Sequence, residues 1–220
     1  MKKENIKIAP SILSANFAKM GEEVAELEKC GADFIHCDIM DGVFVPNITF
    51  GIKMINDIKK YTSLVIDTHL MIVEPQNYID KFASAGADYI TIHYEACLDK
   101  TLDTLKLIKN AGAKCGIVIK PDTPANKIMD IVPFCDMITV MSVFPGFGGQ
   151  KFIPSTLENI KYFRKNIDLL DKNILLEVDG GISTENCKII KEAGANVLVV
   201  GSAIFNSRNK RETINILRGN

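Results

Sequence analysis

Cys30-Gly31-Ala32-Asp33-Phe34, Ala85-Gly86-Ala87-Asp88-Tyr89, Ala111-Gly112-Ala113-Lys114-Cys115 and Ala193-Gly194-Ala195-Asn196-Val197 are four versions of one joint. In each, an amphipathic stretch runs into a glycine, which tolerates the positive φ of a helix cap, and a β-rich run follows. The alanine is small enough for the helix end to sit close to the strand. Helix, Gly-Ala and strand in repetition is the pattern of consecutive β-α-β units.

Working outward from these joints, the sequence predicts eight strands, at Ile6–Pro10, Phe34–Asp38, Leu64–His69, Tyr89–His93, Lys114–Ile119, Met137–Met141, Ile174–Val178 and Val197–Val200. Helical patterns lie between them, at Met20–Lys29, Gln76–Ala85, Leu98–Asn110 and Thr184–Ala193, with Thr184 as a plausible helix start. Val197-Leu-Val-Val200 is a continuous apolar run, as a parallel strand covered on both faces should be. Eight alternations without a long linker favour an α/β fold, a closed (β/α)8 TIM barrel forming one catalytic domain over residues 1–220. An open doubly wound sheet is the runner-up, but no Rossmann glycine fingerprint supports it.

Bulk composition agrees. With 220 residues, 47% of them hydrophobic, the chain can bury a sizeable core. Its 26 basic and 27 acidic side chains leave a net charge of -1, so no broad positive field draws nucleic acid or an anionic membrane. The apolar run after Met1-Lys-Lys-Glu-Asn5 is too short for a signal peptide, and no apolar stretch is long enough to span a bilayer, so a cytoplasmic location is expected. None of the six cysteines forms a C-x-x-C pair, which favours reduced thiols.

The three histidines, His36, His69 and His93, all fall toward the carboxyl ends of predicted strands, where barrel enzymes place their chemistry. Asp38 follows His36 by two residues and therefore shares its side of the strand. Asp179 follows predicted strand 7, nearly across the ring. His36, Asp38, His69 and Asp179 form a mixed nitrogen and oxygen set suited to one divalent ion such as Zn2+, Mn2+, Fe2+ or Co2+. The alternative is a set of groups that satisfy one another by hydrogen bonds. Glycines after three adjacent strands, in Val143-Phe-Pro-Gly-Phe-Gly-Gly-Gln150, Gly180-Gly181 and Gly201-Ser202, let backbone N–H groups approach an anion. Ser202-Ala-Ile-Phe205 reads as a short helix beside them.

Six segments together resemble the ribulose-phosphate 3-epimerase family over essentially the whole chain. They are Ala9–Ser14, His36–Gly51, Asp67–Met71, Thr91–Ala96, Pro145–Gln150 and Val178–Gly181. The resemblance implies a barrel of the ribulose-phosphate-binding type, a homo-oligomer, and metal ligation by His36, Asp38, His69 and Asp179. It implies Asp38 and Asp179 as the acid–base pair that inverts C3 of a ketose phosphate through an enediolate. Substrate contacts are implied at Ser11, His69, Gly146, Phe147, Gly148, Gly149, Asp179, Gly180, Gly181, Gly201 and Ser202. D-Ribulose 5-phosphate is the expected substrate, with D-allulose 6-phosphate as alternative and a non-catalytic sugar-phosphate-binding barrel more remote. Met40, Met71 and Met141 resemble methionines that line such sites. Lys120 and Phe144 depart from the family pattern. Lys120 is expected to reach into water, the other reading being contact with the distal end of substrate. His93 reads equally as an orienting partner or a packed polar residue.

Overall fold

The computed structural model describes residues 6–170 and 172–219. Its strands are β1 (Lys7–Pro10), β2 (Phe34–Met40), β3 (Val65–Met71), β4 (Tyr89–His93), β5 (Lys114–Ile119), β6 (Met137–Met141), β7 (Leu175–Asp179) and β8 (Val197–Val200). Helices α1 (Met20–Lys29), α2 (Ile52–Ile58), α3 (Ile79–Ala85), α4 (Tyr94–Cys97), α5 (Thr101–Asn110), α6 (Leu157–Ile167), α7 (Cys187–Glu192), α8 (Ser202–Phe205) and α9 (Lys210–Arg218) lie between and after them. The strands pair in parallel in the order β1-β8-β7-β6-β5-β4-β3-β2. A parallel bridge between Ser11 and His36 closes the remaining seam. The predicted barrel is the observed fold.

Period-two alternation along each strand separates two cores. Ile8, Ile35, Ile66, Ile90, Ile117, Ile138, Leu176 and Leu198, one from each strand, are fully buried with helix residues such as Leu27, Ile108 and Phe163. Each such side chain contributes about 1.5–3 kcal/mol of burial. Ala9, Phe34, Tyr89, Met137, Val197 and Val199 fill a smaller cluster without helical members.

In three of the four joints the residue after Gly-Ala has a further use. All four glycines take positive φ, from 89° at Gly112 to 116° at Gly194. At Asp33, the backbone N–H donates to Ile8 O at 3.0 Å while the carboxylate accepts the Ile8 N–H at 2.9 Å. Asp88 clasps Ile66 in the same way and Asn196 clasps Leu176, while Asp136, which follows no Gly-Ala joint, clasps Cys115 likewise. Each clasp ties the start of an even-numbered strand to the odd-numbered strand before it. The barrel thus repeats every two strands along its amino-terminal rim.

Several boundaries differ from those predicted. β2 and β3 continue two residues further, to Met40 and Met71, so His36 is the third of seven residues in β2 rather than near its end. Predicted Gln76–Ala85 and Leu98–Asn110 each begin as a single 3-10 turn before α3 and α5. Thr184 does not start α7, which begins at Cys187. Asn186 instead accepts the Ser183 N–H through its side chain and holds the preceding turn. Two 3-10 turns, Ala125–Ile128 and Val132–Phe134, take the place of a helix between β5 and β6. Pro121, Pro124 and Pro133 stand in that segment, and proline removes a helix donor and clashes with the preceding turn. All six cysteines are free thiols, and no helix among the described residues is long and apolar enough to cross a membrane.

Candidate active site

The carboxyl ends of the strands open into a cavity of about 810 Å³. Ser11, Asp38, Gly146, Phe147, Gly148, Gly149, Asp179, Gly180, Gly181, Gly201 and Ser202 all line it, together with Met40, Met71 and Met141. His36 and His69 sit fully buried beneath. Every residue expected at the site is therefore in or under one cavity. Ser202–Phe205 forms the short helix read from the sequence.

At the floor, His36 Nε2 and His69 Nδ1 each lie 3.3 Å from Asp38 Oδ1, and 3.7 and 3.6 Å from Asp179 Oδ2. Neither nitrogen has a hydrogen-bond partner, although both are buried. One ligand atom from each of the four residues lies within 4.8 Å of the others, close enough to surround a single ion. Two bare imidazole nitrogens facing two carboxylates fit a divalent cation better than a self-satisfied polar cluster, which would leave no such orphans.

Supporting side chains orient the set. Ser11 donates its hydroxyl to Asp38 Oδ2 at 2.5 Å. His36 turns its other nitrogen, Nδ1, to Asp67 Oδ2 at 2.6 Å. Glu177 lies beyond, accepting from the Thr139 hydroxyl at 2.9 Å. Burial, then the charge of Asp67, pushes the Glu177 carboxyl well above its usual range. Burial alone would raise Asp38, but His36 and His69 outweigh it and hold this carboxyl well below the ordinary range. The two histidines respond in kind. Against burial, which disfavours the cation, Asp38 and Asp67 hold His36 well above its usual value, and Asp179 and Asp38 raise His69.

His69 places its second nitrogen, Nε2, 3.0 Å from His93 Nε2, and His93 Nδ1 lies 3.1 Å from Glu95 Oε2. Burial pushes His93 down to about 4, while hydrogen bonds from His93, Lys120 N–H and Thr123 hold Glu95 at about 2 despite its own burial. The Lys120 side chain does not extend into water as expected. Its ammonium lies 4.3 Å from the centre of the Phe44 ring, which in turn lies 4.8 Å from the His93 ring. Phe144 is half exposed and does not line the cavity, although its neighbours Val143 and Pro145 do.

Sequence reasoning missed Asp67, Glu177, Glu95 and Asn47. The last donates its side-chain N–H to Gly146 O at 2.8 Å and ties the loop after β2 to the glycine loop after β6. A signal for Asp67 and Glu177 was present. Each stands two residues before a site residue, His69 and Asp179, and so shares its face of the strand.

A model of the ribulose-phosphate 3 epimerase family matches residues 7–205. Ribulose-phosphate 3-epimerase of Bacillus subtilis (strain 168) is 47% identical over 215 residues, covering 97% of this chain and 99% of its own length. Ribulose-phosphate 3-epimerase of Synechocystis is also 47% identical, over 212 residues, covering 96% of this chain and 92% of its own length. Among solved structures, 3-hexulose-6-phosphate synthase from Salmonella typhimurium superposes with a TM-score of 0.70 at 18% identity, covering 97% of both chains. That likeness concerns the fold alone. With the family match spanning almost the whole barrel, and relatives of this identity, the chain belongs to the ribulose-phosphate 3 epimerase family.

Proposed function

We propose that this chain, as one catalytic domain, is a metal-dependent epimerase. It interconverts D-ribulose 5-phosphate and D-xylulose 5-phosphate by inverting C3. The observation that carries this reading is the pair of aspartates from opposite parts of the ring, Asp38 on β2 and Asp179 on β7, converging beside two unpartnered imidazole nitrogens.

His36, Asp38, His69 and Asp179 would hold the cation. A divalent ion bound there would supply Lewis acidity, polarising the ketone and favouring negative charge beside it. Inversion needs one group to take the C3 proton from one face and another to return a proton to the opposite face. Asp38 and Asp179 are the two candidates, since both line the cavity from different strands. The Ser11 hydroxyl fixes the orientation of Asp38, and an enediolate lies between the two transfers. The phosphate is assigned to the loops Gly146–Gly149, Gly180–Gly181 and Gly201–Ser202. A Cβ on Gly181, which has φ 64°, would collide with Phe152 N, so only glycine lets the backbone turn there. Methionines 40, 71 and 141 give the substrate carbons an apolar surround.

Incubation of the metal-loaded protein in D2O with ribulose 5-phosphate, and separately with allulose 6-phosphate, tests the reading. Deuterium at C3 with inversion of the pentulose is the expected result. Absence of C3 deuterium from either substrate would reduce the protein to a binder.

A further inference from the structure

His36 and His69 present different nitrogens to the same four-residue cluster. His36 offers Nε2 and His69 offers Nδ1. For His36 the choice is made by Asp67, which accepts the proton on Nδ1. His69 touches no carboxylate with its far nitrogen. It meets another imidazole, His93, at 3.0 Å, and a contact between two ring nitrogens requires one to donate and the other to accept.

The direction of that bond is set one residue further out, at Glu95 on α4. Glu95 Oε1 already accepts from Lys120 N–H at 2.9 Å and from the Thr123 hydroxyl, and Oε2 faces His93 Nδ1 at 3.1 Å. A carboxylate in this position has acceptors only, so His93 must carry its proton on Nδ1. A neutral His93 ring then has a bare Nε2 that can only accept. His69 must therefore donate from Nε2, which leaves its Nδ1 free to face Asp38 and Asp179. Both rings are fully buried and stacked with centroids 5.0 Å apart, so water cannot scramble the order.

We propose that His93 and Glu95 are positioning residues. Through the chain Glu95–His93–His69 they fix the tautomer in which His69 offers Nδ1 to a divalent cation. The inference rests on the metal-site reading above. It also assigns a use to the Lys120 segment that is independent of its side chain, because the backbone N–H is what orients Glu95.

Glu95→Gln reverses the chain with almost no change of shape. The amide oxygen must stay where Lys120 N–H and Thr123 need an acceptor, so the NH2 faces His93 Nδ1. That nitrogen must now accept, His93 donates from Nε2, and the His69 proton moves to Nδ1. The probe is Zn2+ affinity of the chelator-stripped full chain, measured by competition with a chromophoric chelator. Long-range 1H–15N spectra of the Zn2+-loaded imidazoles accompany it. Wild type is expected to bind one Zn2+ with His93 protonated on Nδ1, and Glu95→Gln to bind about 10–100-fold more weakly. His93→Leu should lose affinity to a similar degree. His93→Gln, whose oxygen can accept from His69 while its NH2 donates to Glu95, should recover most of it. Folded Glu95→Gln with affinity within about twofold of wild type overturns the proposal. Should that variant not fold, equal affinities of His93→Gln and His93→Leu overturn it instead. If wild type itself takes up no Zn2+, the metal-site reading falls first, a result distinct from either of these.

Discussion

At the scale of single residues, the site is two aspartates balanced against two histidines in a buried floor. Asp38→Asn and Asp179→Asn each keep the shape and remove one proton-transfer group. Each is expected to lose about 10²–10⁴-fold in turnover, read from C3 exchange in D2O. Near-normal turnover in either would contradict the two-aspartate assignment. The histidines carry a pH signature of their own. With His36 and His69 raised in the metal-free chain, the stability they contribute is fully present below their unfolded value of about 6.5 and is lost as pH climbs through the raised values. The urea midpoint of stripped protein should therefore fall from about pH 6.5 upward, where a flat or rising midpoint would contradict the shifts. Four of these site residues were legible in the sequence because two-residue spacing and strand ends point them to one place. Asp67 and Glu177 obeyed the same spacing but sit one layer deeper, where no motif marks a supporting carboxylate. Glu95 was hidden for another reason: it acts through His93, and no linear spacing shows which way a buried proton points.

At the scale of elements, the Gly-Ala joints were readable because glycine and alanine have local meaning, at a cap and at a close approach. The residue after them was not, since its partner is about 20–25 positions away in sequence. The same local reasoning overran at the β5–β6 connection, where prolines break the expected alternation. The joints are not equivalent energetically. A Cβ on Gly112 would meet nothing within 4 Å, whereas one on Gly194 would strike the Arg164 side chain. Gly112→Ala should pay only for its left-handed backbone, about 1–2 kcal/mol. Gly194→Ala should cost more, with kcat unchanged in both because the joints lie at the rim away from the cavity. Equal urea midpoints for the two would show that the Arg164 side chain swings aside freely.

At the scale of the whole molecule, closure of the ring rests on its weakest ladder. β1 and β2 share one bridge, Ser11 to His36, and the Asp33 clasp on Ile8. Arg218 of α9 pairs with Asp33 at 2.5 Å and also donates to Gly31 O, so the last helix seals the seam between the first two strands. Asp33→Ala strands the Ile8 N–H and removes the ion-pair partner of Arg218. It should destabilise the fold by about 1–3 kcal/mol and speed hydrogen exchange at Ile8 first. Uniform exchange across all strands, with Ile8 no faster than the rest, would show that the seam is not a separate weak point. Ser11 and His36, both of the candidate site, lie in this same seam, so the bridge that closes the ring also sets two site residues side by side.

The ring of Phe44 lies between the Lys120 ammonium and the His93 imidazole, and the chain contains no tryptophan. Only the five tyrosines absorb alongside an indole, so excitation at the red edge of the indole band leaves the native protein dark. Phe44→Trp would install a lone fluorophore whose emission is quenched by its two neighbours to an extent set by their protonation and distance. Titrating such a variant with Zn2+ should change its brightness in step with occupancy of the floor, and an emission that ignores the ion would show that the aromatic cover and the four-residue cluster are uncoupled.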